Sequence, residues 1–218
     1  MKVLIACEFS GIVRDAFIEQ GHDAVSCDLL ETHVEGPHYQ GDVLDILFGG
    51  WDMMIAFPPC TYLCTGSMNW LNRNPEYRSR RELAVGFFMS LVHAPIEKIA
   101  IENPIGYMNT RYKKPNQIVY PWMFGHPYKK DICLWLKALP QLQPTCIIEK
   151  SELKKLDFWS DKRKGEDGSS LKSITFQGVA DAMADQWTRF EQVTLEATSG
   201  ATSTPEANST PSEDSNNL

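Results

Sequence analysis

The chain has 218 residues, of which 43% are hydrophobic, 11% aromatic and 22% charged. This composition is typical of a globular protein with one sizeable core, and it excludes collagen-like, coiled-coil and wholly disordered architectures. The net charge of −7 is unevenly spread, because residues 111–164 hold twelve Lys or Arg and five acidic residues, whereas residues 191–218 hold five acidic residues and no Lys or Arg. The basic segment can meet phosphates, although a solvated surface is an equally good interpretation.

Compartment and redox state follow from the apolar runs and the cysteines. No apolar run approaches the roughly 18 residues of a membrane span, and the amino terminus lacks a signal-peptide pattern, so we expect a cytoplasmic protein with no membrane segment. The six cysteines are scattered, which favours free thiols over a disulfide framework. Cys60 and Cys64 have a spacing found in some zinc sites, but the histidines are isolated, and we expect no metal.

Short apolar segments alternate with helical patterns along the first 190 residues. The predicted strands are 2–7, 24–28, 39–43, 53–57, 98–102 and 132–136, and the predicted helices are 11–20, 80–93 and 178–190. Strands separated by helices predict an α/β domain over residues 1–190, with a mostly parallel sheet covered by helices on both faces. Residues 61–82 are interpreted as an Arg-rich loop. Residues 191–218 are rich in Ser, Thr, Pro, Asn and acids, and they predict a disordered acidic tail.

Polar or conformationally special residues follow five of the predicted strands. They are segments 7–11, 41–43, 58–60 and 102–104, together with Asp28. Because ligands of an open parallel sheet bind at the carboxyl ends of its strands, we expect the functional site there. Gly11 allows a ligand to approach the first turn, and Asp28 can accept hydrogen bonds from ribose hydroxyls, although it could equally cap a helix. A turn with so few glycines suits S-adenosylmethionine better than a dinucleotide.

Two residues at these strand ends can carry covalent chemistry. Pro58 and Pro59 fix the chain as it leaves its strand and hold Cys60 at the rim of the sheet, where a thiolate is a nucleophile. Glu102 ends an apolar strand, where burial favours a protonated carboxyl that can donate to a ring nitrogen. The alternatives are an inert buried cysteine and an acid paired with Lys or Arg. The combination of thiol and carboxyl on neighbouring strand ends favours catalysis.

The order of these motifs resembles that of the DNA cytosine-5 methyltransferases, in particular the short members carried by bacteriophages, over residues 2–190. Pro58-Pro59-Cys60 is similar to the family's catalytic Pro-Pro-Cys, and Glu102-Asn103-Pro104 is similar to its Glu-Asn-Val. The resemblance implies a Rossmann-like methyltransferase fold. It also implies that Cys60 adds to carbon 6 of cytosine, that Glu102 contacts nitrogen 3, that Asn103 steadies the loop, and that S-adenosylmethionine methylates carbon 5.

The same resemblance implies two sets of binding residues. Those for S-adenosylmethionine are Phe9, Ser10, Gly11, Asp28, Asp42, Val43, Pro58, Gly178 and Val179. Those for DNA are Arg73, Arg78, Arg80, Arg81, His126, Lys129 and Lys130. The last three of these stand near the place where the family usually carries a Gln-x-Arg-x-Arg motif. The target base must leave the stack to react, and the basic residues are expected to hold the DNA while it does so.

The chain departs from the family in its first turn, at Pro104 and in the length of one insertion. Residues 137–175 are far shorter than the usual target-recognition domain. DNA recognition is therefore expected to be minimal or to need a protein partner, with the basic residues 150–164 as the remaining contact. Two alternatives stay open. The first is a relative of the family that is catalytically silent and acts as a DNA-binding or decoy protein, or that modifies cytosine with another donor. The second is a Rossmann-like oxidoreductase, which the glycine-poor turn disfavours.

Overall fold

The computed structural model describes residues 1–65, 74–153 and 174–199. Within these ranges the strands are β1 (Lys2–Ala6), β2 (Asp23–Asp28), β3 (His38–Gln40), β4 (Met53–Ala56), β5 (Lys98–Asn103), β6 (Gln117–Val119) and β7 (Ile132–Lys137). The α-helices are α1 (Ile12–Glu19), α2 (Pro75–Val92), α3 (Met108–Arg111) and α4 (Gln177–Ser199). Short 3-10 turns cover Val43–Asp45, Pro121–Met123 and Lys150–Glu152.

All seven strands form one sheet in the order β3-β2-β1-β4-β5-β7-β6. Strands β1 to β5 are mutually parallel, and β7 is antiparallel to both of its neighbours, so β6 points in the same direction as β1 to β5. The chain moves outward from β1 to β3 and then returns to β4 on the other side. This reversal creates a crevice at the carboxyl ends of β1 and β4, where such sheets bind ligands. The predicted α/β architecture with a mostly parallel sheet is confirmed.

Helices cover both faces of the sheet because residues of its central strands are buried on each side. In β1, Val3 and Ile5 belong to a core cluster that contains Trp187 of α4, and Leu4 belongs to the opposite cluster, which contains Phe88 of α2. Helix α1 contributes to the first cluster as well. Burial on both faces explains why β1 and β4 are apolar without a polar alternation.

Helix α2 begins earlier than predicted, at Pro75 instead of residue 80. The side chain of Asn74 caps it, because Asn74 Oδ1 accepts a hydrogen bond from the backbone N–H of Glu76 at 3.0 Å. Proline is well suited to the first helical position, which has no intrahelical acceptor for a backbone N–H. The expected Arg-rich loop is therefore shorter, and Arg78, Arg80 and Arg81 lie on α2.

Two other boundaries differ from the prediction by more than one residue. Strand β3 ends at Gln40 rather than at residue 43, because Asp42 accepts a hydrogen bond from Leu44 N–H at 3.0 Å and starts a 3-10 turn. Helix α4 continues to Ser199 rather than ending at Phe190, and the sequence offers no Pro or Gly before Gly200 to stop it. Residues 191–199 of the predicted tail lie in this helix, and residues 200–218 lie outside the described part of the chain. Strand β6 and helix α3 were not predicted.

Candidate active site

The turn after β1 is shaped by two residues with a left-handed backbone. Cys7, directly after β1, has φ 58°, and Gly11 has φ 79° at the start of α1. Between them, the backbone N–H of Glu8 donates to the carbonyl of Cys27 at 3.0 Å and ties the turn to β2. A side chain at Gly11 would lie 2.6 Å from the guanidinium of Arg14, so glycine is required here for packing as well as for backbone conformation.

Glu8 is a buried acid in this turn that the sequence analysis did not select. Its Oε1 accepts hydrogen bonds from Ser10 Oγ at 2.7 Å and from the backbone N–H of Val13 at 3.0 Å. Its Oε2 is also buried and has no hydrogen-bond partner among the described residues. Burial raises the pKa of the Glu8 carboxyl despite these hydrogen bonds. An acid directly after an apolar strand was the signal that pointed to Glu102, and it was available for Glu8 too.

A first cavity of about 280 Å³ lies at the carboxyl ends of β1 and β2. It is lined by Cys7, Cys27, Asp28, Leu29, Gly41, Asp42, Val43, Pro59 and Phe87. Of the residues expected to bind the cofactor, Asp28, Asp42 and Val43 line this cavity. The other six do not line it: Phe9, Ser10, Gly11, Gly178 and Val179 line neither of the two cavities described here, and Pro58 lines the second one.

Burial raises the pKa values of three groups that line the first cavity, Asp28, Cys27 and Cys7. It raises the pKa of the Asp28 carboxyl, although a hydrogen bond from the backbone N–H of Leu30 acts in the opposite direction. It also raises the pKa of Cys27 to about 12, and the charges of Asp28 and Asp42 add to this shift. The pKa of Cys7 is raised for the same reasons. Both thiols stay protonated at neutral pH, so neither is poised to act as a nucleophile.

The segment after β4 is held in place by β5 and by a close backbone contact. Asn103 is buried, and its Nδ2 donates to the carbonyl of Pro58 at 2.8 Å. After Cys60 the chain makes a turn in which the Leu63 N–H donates to the Cys60 carbonyl at 2.9 Å. Gly106 packs against this turn, because a Cβ there would lie 2.1 Å from the Leu63 carbonyl oxygen. The position of Cys60 therefore depends on the end of β5 and the residues that follow it.

A second cavity, of about 430 Å³, contains both predicted catalytic side chains. It is lined by Phe57, Pro58, Pro59, Cys60, Cys64, Thr65, Glu102, Pro104, Ile105, Lys129, Lys130 and Asp131. Cys60 follows β4 and Glu102 lies in β5, the adjacent strand. Pro59 lines the first cavity as well as the second. The two cavities are therefore neighbours across the Pro58-Pro59-Cys60 segment.

Burial and the charge of Lys130 have opposite effects on the pKa values of Cys60 and Glu102. Removal from water raises the pKa of the Cys60 thiol, and the nearby Cys64 and Glu102 raise it further. Burial also raises the pKa of the Glu102 carboxyl. The positive charge of Lys130 lowers both pKa values. The cavity thus favours a protonated carboxyl, and Lys130 is the cation that favours the thiolate.

His126 has a different position from the one expected for a DNA-binding residue. Its Nε2 accepts a hydrogen bond from the backbone N–H of Gly178 at 2.9 Å, and its ring centroid lies 5.2 Å from that of Phe176. Burial lowers the pKa of His126, which favours the neutral ring that this acceptor role requires. A side chain at Gly178 would clash with the carbonyl of Phe124. His126 and Gly178 therefore anchor the start of α4, whereas Lys129 and Lys130 line the second cavity.

The arginines of α2 fall into two groups. Arg78 and Arg80 are exposed, and Arg80 forms an ion pair with Glu76 at 2.6 Å. Arg81 is only 6% exposed, so the expectation that it contacts DNA from a surface loop is corrected. Its Nε donates to the carbonyl of Tyr62 at 3.0 Å, and its guanidinium lies 4.4 Å from the ring centroid of Tyr107. Arg73 and residues 154–164, also expected at the DNA, lie outside the described residues.

Several searches bear on the nature of the site. In the described ranges, no group of three or more His, Cys, Asp or Glu side chains could hold a metal ion. The described helices include none that is both long and apolar enough to span a membrane. A comparison of the sequence with protein-family models finds no match, and a comparison with curated proteins finds none either. The functional interpretation therefore depends on the two neighbouring cavities.

Proposed function

We propose that this chain is a DNA cytosine-5 methyltransferase that transfers a methyl group from S-adenosylmethionine to carbon 5 of cytosine through a covalent intermediate on Cys60. The observation that carries the proposal is the shared position of Cys60 and Glu102 in the second cavity, next to the first cavity, which is lined by Asp28 and Asp42 and also touches Pro59. A nucleophile, an acid and a nucleoside-sized pocket meet at the carboxyl edge of the sheet, which is the expected place for a ligand.

The first cavity supports a donor that carries a nucleoside. Asp28 stands at the end of β2, where a carboxylate can accept hydrogen bonds from ribose hydroxyls. Leu29, Val43 and Phe87 provide apolar contacts for a base in the same cavity. These residues would hold the adenosine part of S-adenosylmethionine, which when bound supplies an electrophilic methyl group. The Rossmann-like methyltransferase fold is part of this proposal.

The second cavity supports activation of a pyrimidine by nucleophilic addition. The Cys60 thiolate forms a bond to carbon 6 of cytosine, and Glu102 donates its proton toward nitrogen 3 as the electrons of the carbon 5–carbon 6 double bond move into the ring. Carbon 5 thereby becomes nucleophilic. Carbon 5 would take the methyl group as the methyl–sulfonium bond breaks, which leaves a neutral thioether. Water then accepts the proton of carbon 5, the carbon 6–sulfur bond breaks, and the double bond returns. Cys60 leaves as a thiolate and Glu102 recovers its proton.

The surrounding residues support these two roles. The hydrogen bond from Asn103 Nδ2 to the Pro58 carbonyl fixes the segment that carries Cys60 relative to the strand that carries Glu102. Lys130 favours the thiolate, and Lys129 is exposed at the same cavity, where it can contact a phosphate. The basic excess of residues 111–164 supports a polyanionic substrate despite the negative net charge.

A substitution of the nucleophile tests the proposal. Cys60→Ala should abolish transfer of labelled methyl from S-adenosylmethionine to cytosine-containing DNA, because carbon 5 is not activated without addition at carbon 6. Cys146→Ala is the matched control, since Cys146 is also an exposed free cysteine but does not line the second cavity. It should keep full activity. Equal methylation by the parent protein and the Cys60 variant, measured as 5-methylcytosine in digested DNA, would refute the mechanism.

A further inference from the structure

Residues 129–131 form one wall of the second cavity, and aromatic side chains contact two of them, Lys130 and Asp131. Asp131 lines the cavity, and the side chain of Tyr120 is hydrogen-bonded to it. The Tyr120 ring stacks on that of Trp122, with centroids 5.7 Å apart and an interplanar angle of 19°. Both residues are partly exposed. A stacked aromatic pair therefore begins directly beside the cavity.

A second pair of rings lies next to Lys130. The Lys130 Nζ is 6.0 Å from the ring centroid of Phe176, and the Phe176 ring lies 5.6 Å from that of Tyr128 at an angle of 33°. Phe176 and Tyr128 are partly exposed, and Lys129, which directly follows Tyr128, is exposed. Two aromatic pairs thus lie next to Lys130 and Asp131, which line the cavity that contains Cys60.

The topology puts these rings at the functional edge of the sheet. Strand β6 points in the same direction as β1 to β5, so its carboxyl end, which leads into Tyr120, lies at the edge where β4 leads into Cys60. Strand β7 begins at that edge immediately after Asp131. The segment 120–131 therefore joins β6 to its neighbour β7 at this edge, and residues 129–131 line the second cavity.

We propose that residues 129–131 and the four aromatic rings beside them bind single-stranded DNA, so that the cytosine substrate reaches Cys60 from an unpaired strand. The inference rests on the proposed function and names its substrate class. Proteins that bind single strands combine basic residues for the phosphates with aromatic rings on which successive bases stack. In a duplex the faces of the bases are stacked on one another and are not available to such rings. Two consecutive lysines, Lys129 and Lys130, beside four partly exposed rings fit the unpaired strand.

Binding measurements without donor test this inference independently of catalysis. A short fluorescent oligonucleotide that contains cytosines is compared with the same strand annealed to its complement, at one salt concentration, by fluorescence anisotropy. The single strand should bind roughly tenfold more tightly than the duplex. Trp122→Leu should weaken single-strand binding roughly tenfold, because each base stacked on an aromatic ring contributes substantially to affinity. Trp122→Phe, which keeps a ring, should retain most of the binding and controls for folding.

The matched control is Phe48→Ala. Phe48 is 82% exposed and precedes β4, at the opposite edge of the sheet, so its loss should leave binding unchanged. Equal or tighter binding of the duplex, or equal single-strand binding by the Leu and Phe variants of Trp122, would overturn the inference. Methylation of duplex in preference to single strand would overturn it too while leaving the proposed function intact. Tight, Trp122-dependent binding of single strands with no methylation of either DNA would support it and refute the proposed methyltransferase.

Discussion

The proposed reaction requires opposite protonation states of Cys60 and Glu102. Addition to a pyrimidine requires the thiol to lose its proton and the carboxyl to keep its own. Burial raises both pKa values, which suits Glu102 but opposes formation of the Cys60 thiolate. Lys130 is the nearby positive charge that lowers both. At the residue scale the proposed function therefore depends on three side chains in one cavity rather than on the cysteine alone.

Replacement of Lys130 should therefore displace the pH dependence of catalysis. Lys130→Met removes the charge that lowers the pKa of Cys60 and of Glu102, so both pKa values rise and both limbs of the kcat/KM profile move to higher pH. Lys130→Arg keeps the charge and should keep the parent profile. The measurement is kcat/KM for methyl transfer across a pH series. A Met variant with a slower rate but an unshifted profile would contradict the electrostatic role of Lys130.

The sequence predicted those site residues that follow apolar strands, because a polar residue at a strand end can be recognised from local pattern alone. Cys60, Glu102, Asp28 and Asp42 all line one of the two cavities. The role of His126 could not be predicted in the same way, because its hydrogen bond joins residues 52 positions apart. The burial of Arg81 depends on how α2 meets the residues around Tyr107, and no local pattern encodes that contact.

At the scale of elements, the segment that carries Cys60 is positioned by contacts rather than by its own conformation. The backbone N–H of Tyr107 donates to the carbonyl of Leu63 at 2.6 Å, and Gly106 permits that approach because it lacks a side chain. Asn103 provides the second attachment through Pro58. The end of β5 therefore supplies both the Glu102 carboxyl and the support for the nucleophile.

Two Gly→Ala substitutions compare the close contact between Gly106 and the Leu63 backbone with an uncrowded glycine in α2. Gly106→Ala should destabilise the fold by about 1–3 kcal/mol, because its Cβ meets backbone that cannot move freely. Gly86→Ala, within α2 and with no atom near its added Cβ, should instead stabilise by about 0.5–1 kcal/mol. Denaturant unfolding of both variants is the measurement. A Gly106 variant as stable as the parent would show that the close approach is not required.

The elements were predicted best where the apolar pattern is long. Strands β1, β2, β4, β5 and β7 lie within one residue of their predicted ends. Strand β6 has three residues, too few for an alternation to be recognised, and its pairing with β7 depends on long-range contacts. The start of α2 was missed although Asn74-Pro75 is a recognisable capping signal.

At the scale of the whole molecule, sheet order brings the two cavities together. The neighbours of β1 are β2 and β4, so the acids that follow β2 and β3 and the cysteine that follows β4 flank one crevice. The sequence predicted strands separated by helices but not their order in the sheet, because order is set by packing of helices on both faces. The adjacency of the cavities follows from that order and could not be derived from the motifs.

Truncation tests which part of the chain this arrangement needs. A chain ending at Ser199 should keep the melting temperature and the methyl-transfer activity of the full chain, because the sequence of residues 200–218 predicts a disordered tail. The contrast is Trp187→Ala in α4. Trp187 is fully buried and donates to the carbonyl of Pro140 at 3.0 Å, so its loss should cost about 3–5 kcal/mol. A large fall in melting temperature on truncation would contradict the predicted tail.

The most direct measurement of the central claim uses DNA in which 5-fluorocytosine replaces cytosine. Fluorine cannot leave carbon 5 as a proton does, so methylation should be followed by a stable protein–DNA adduct. The account predicts an adduct in the presence of S-adenosylmethionine, with mass spectrometry of the digested protein locating the bond on Cys60. Bound DNA and donor without any adduct, or an adduct on another residue, would contradict it.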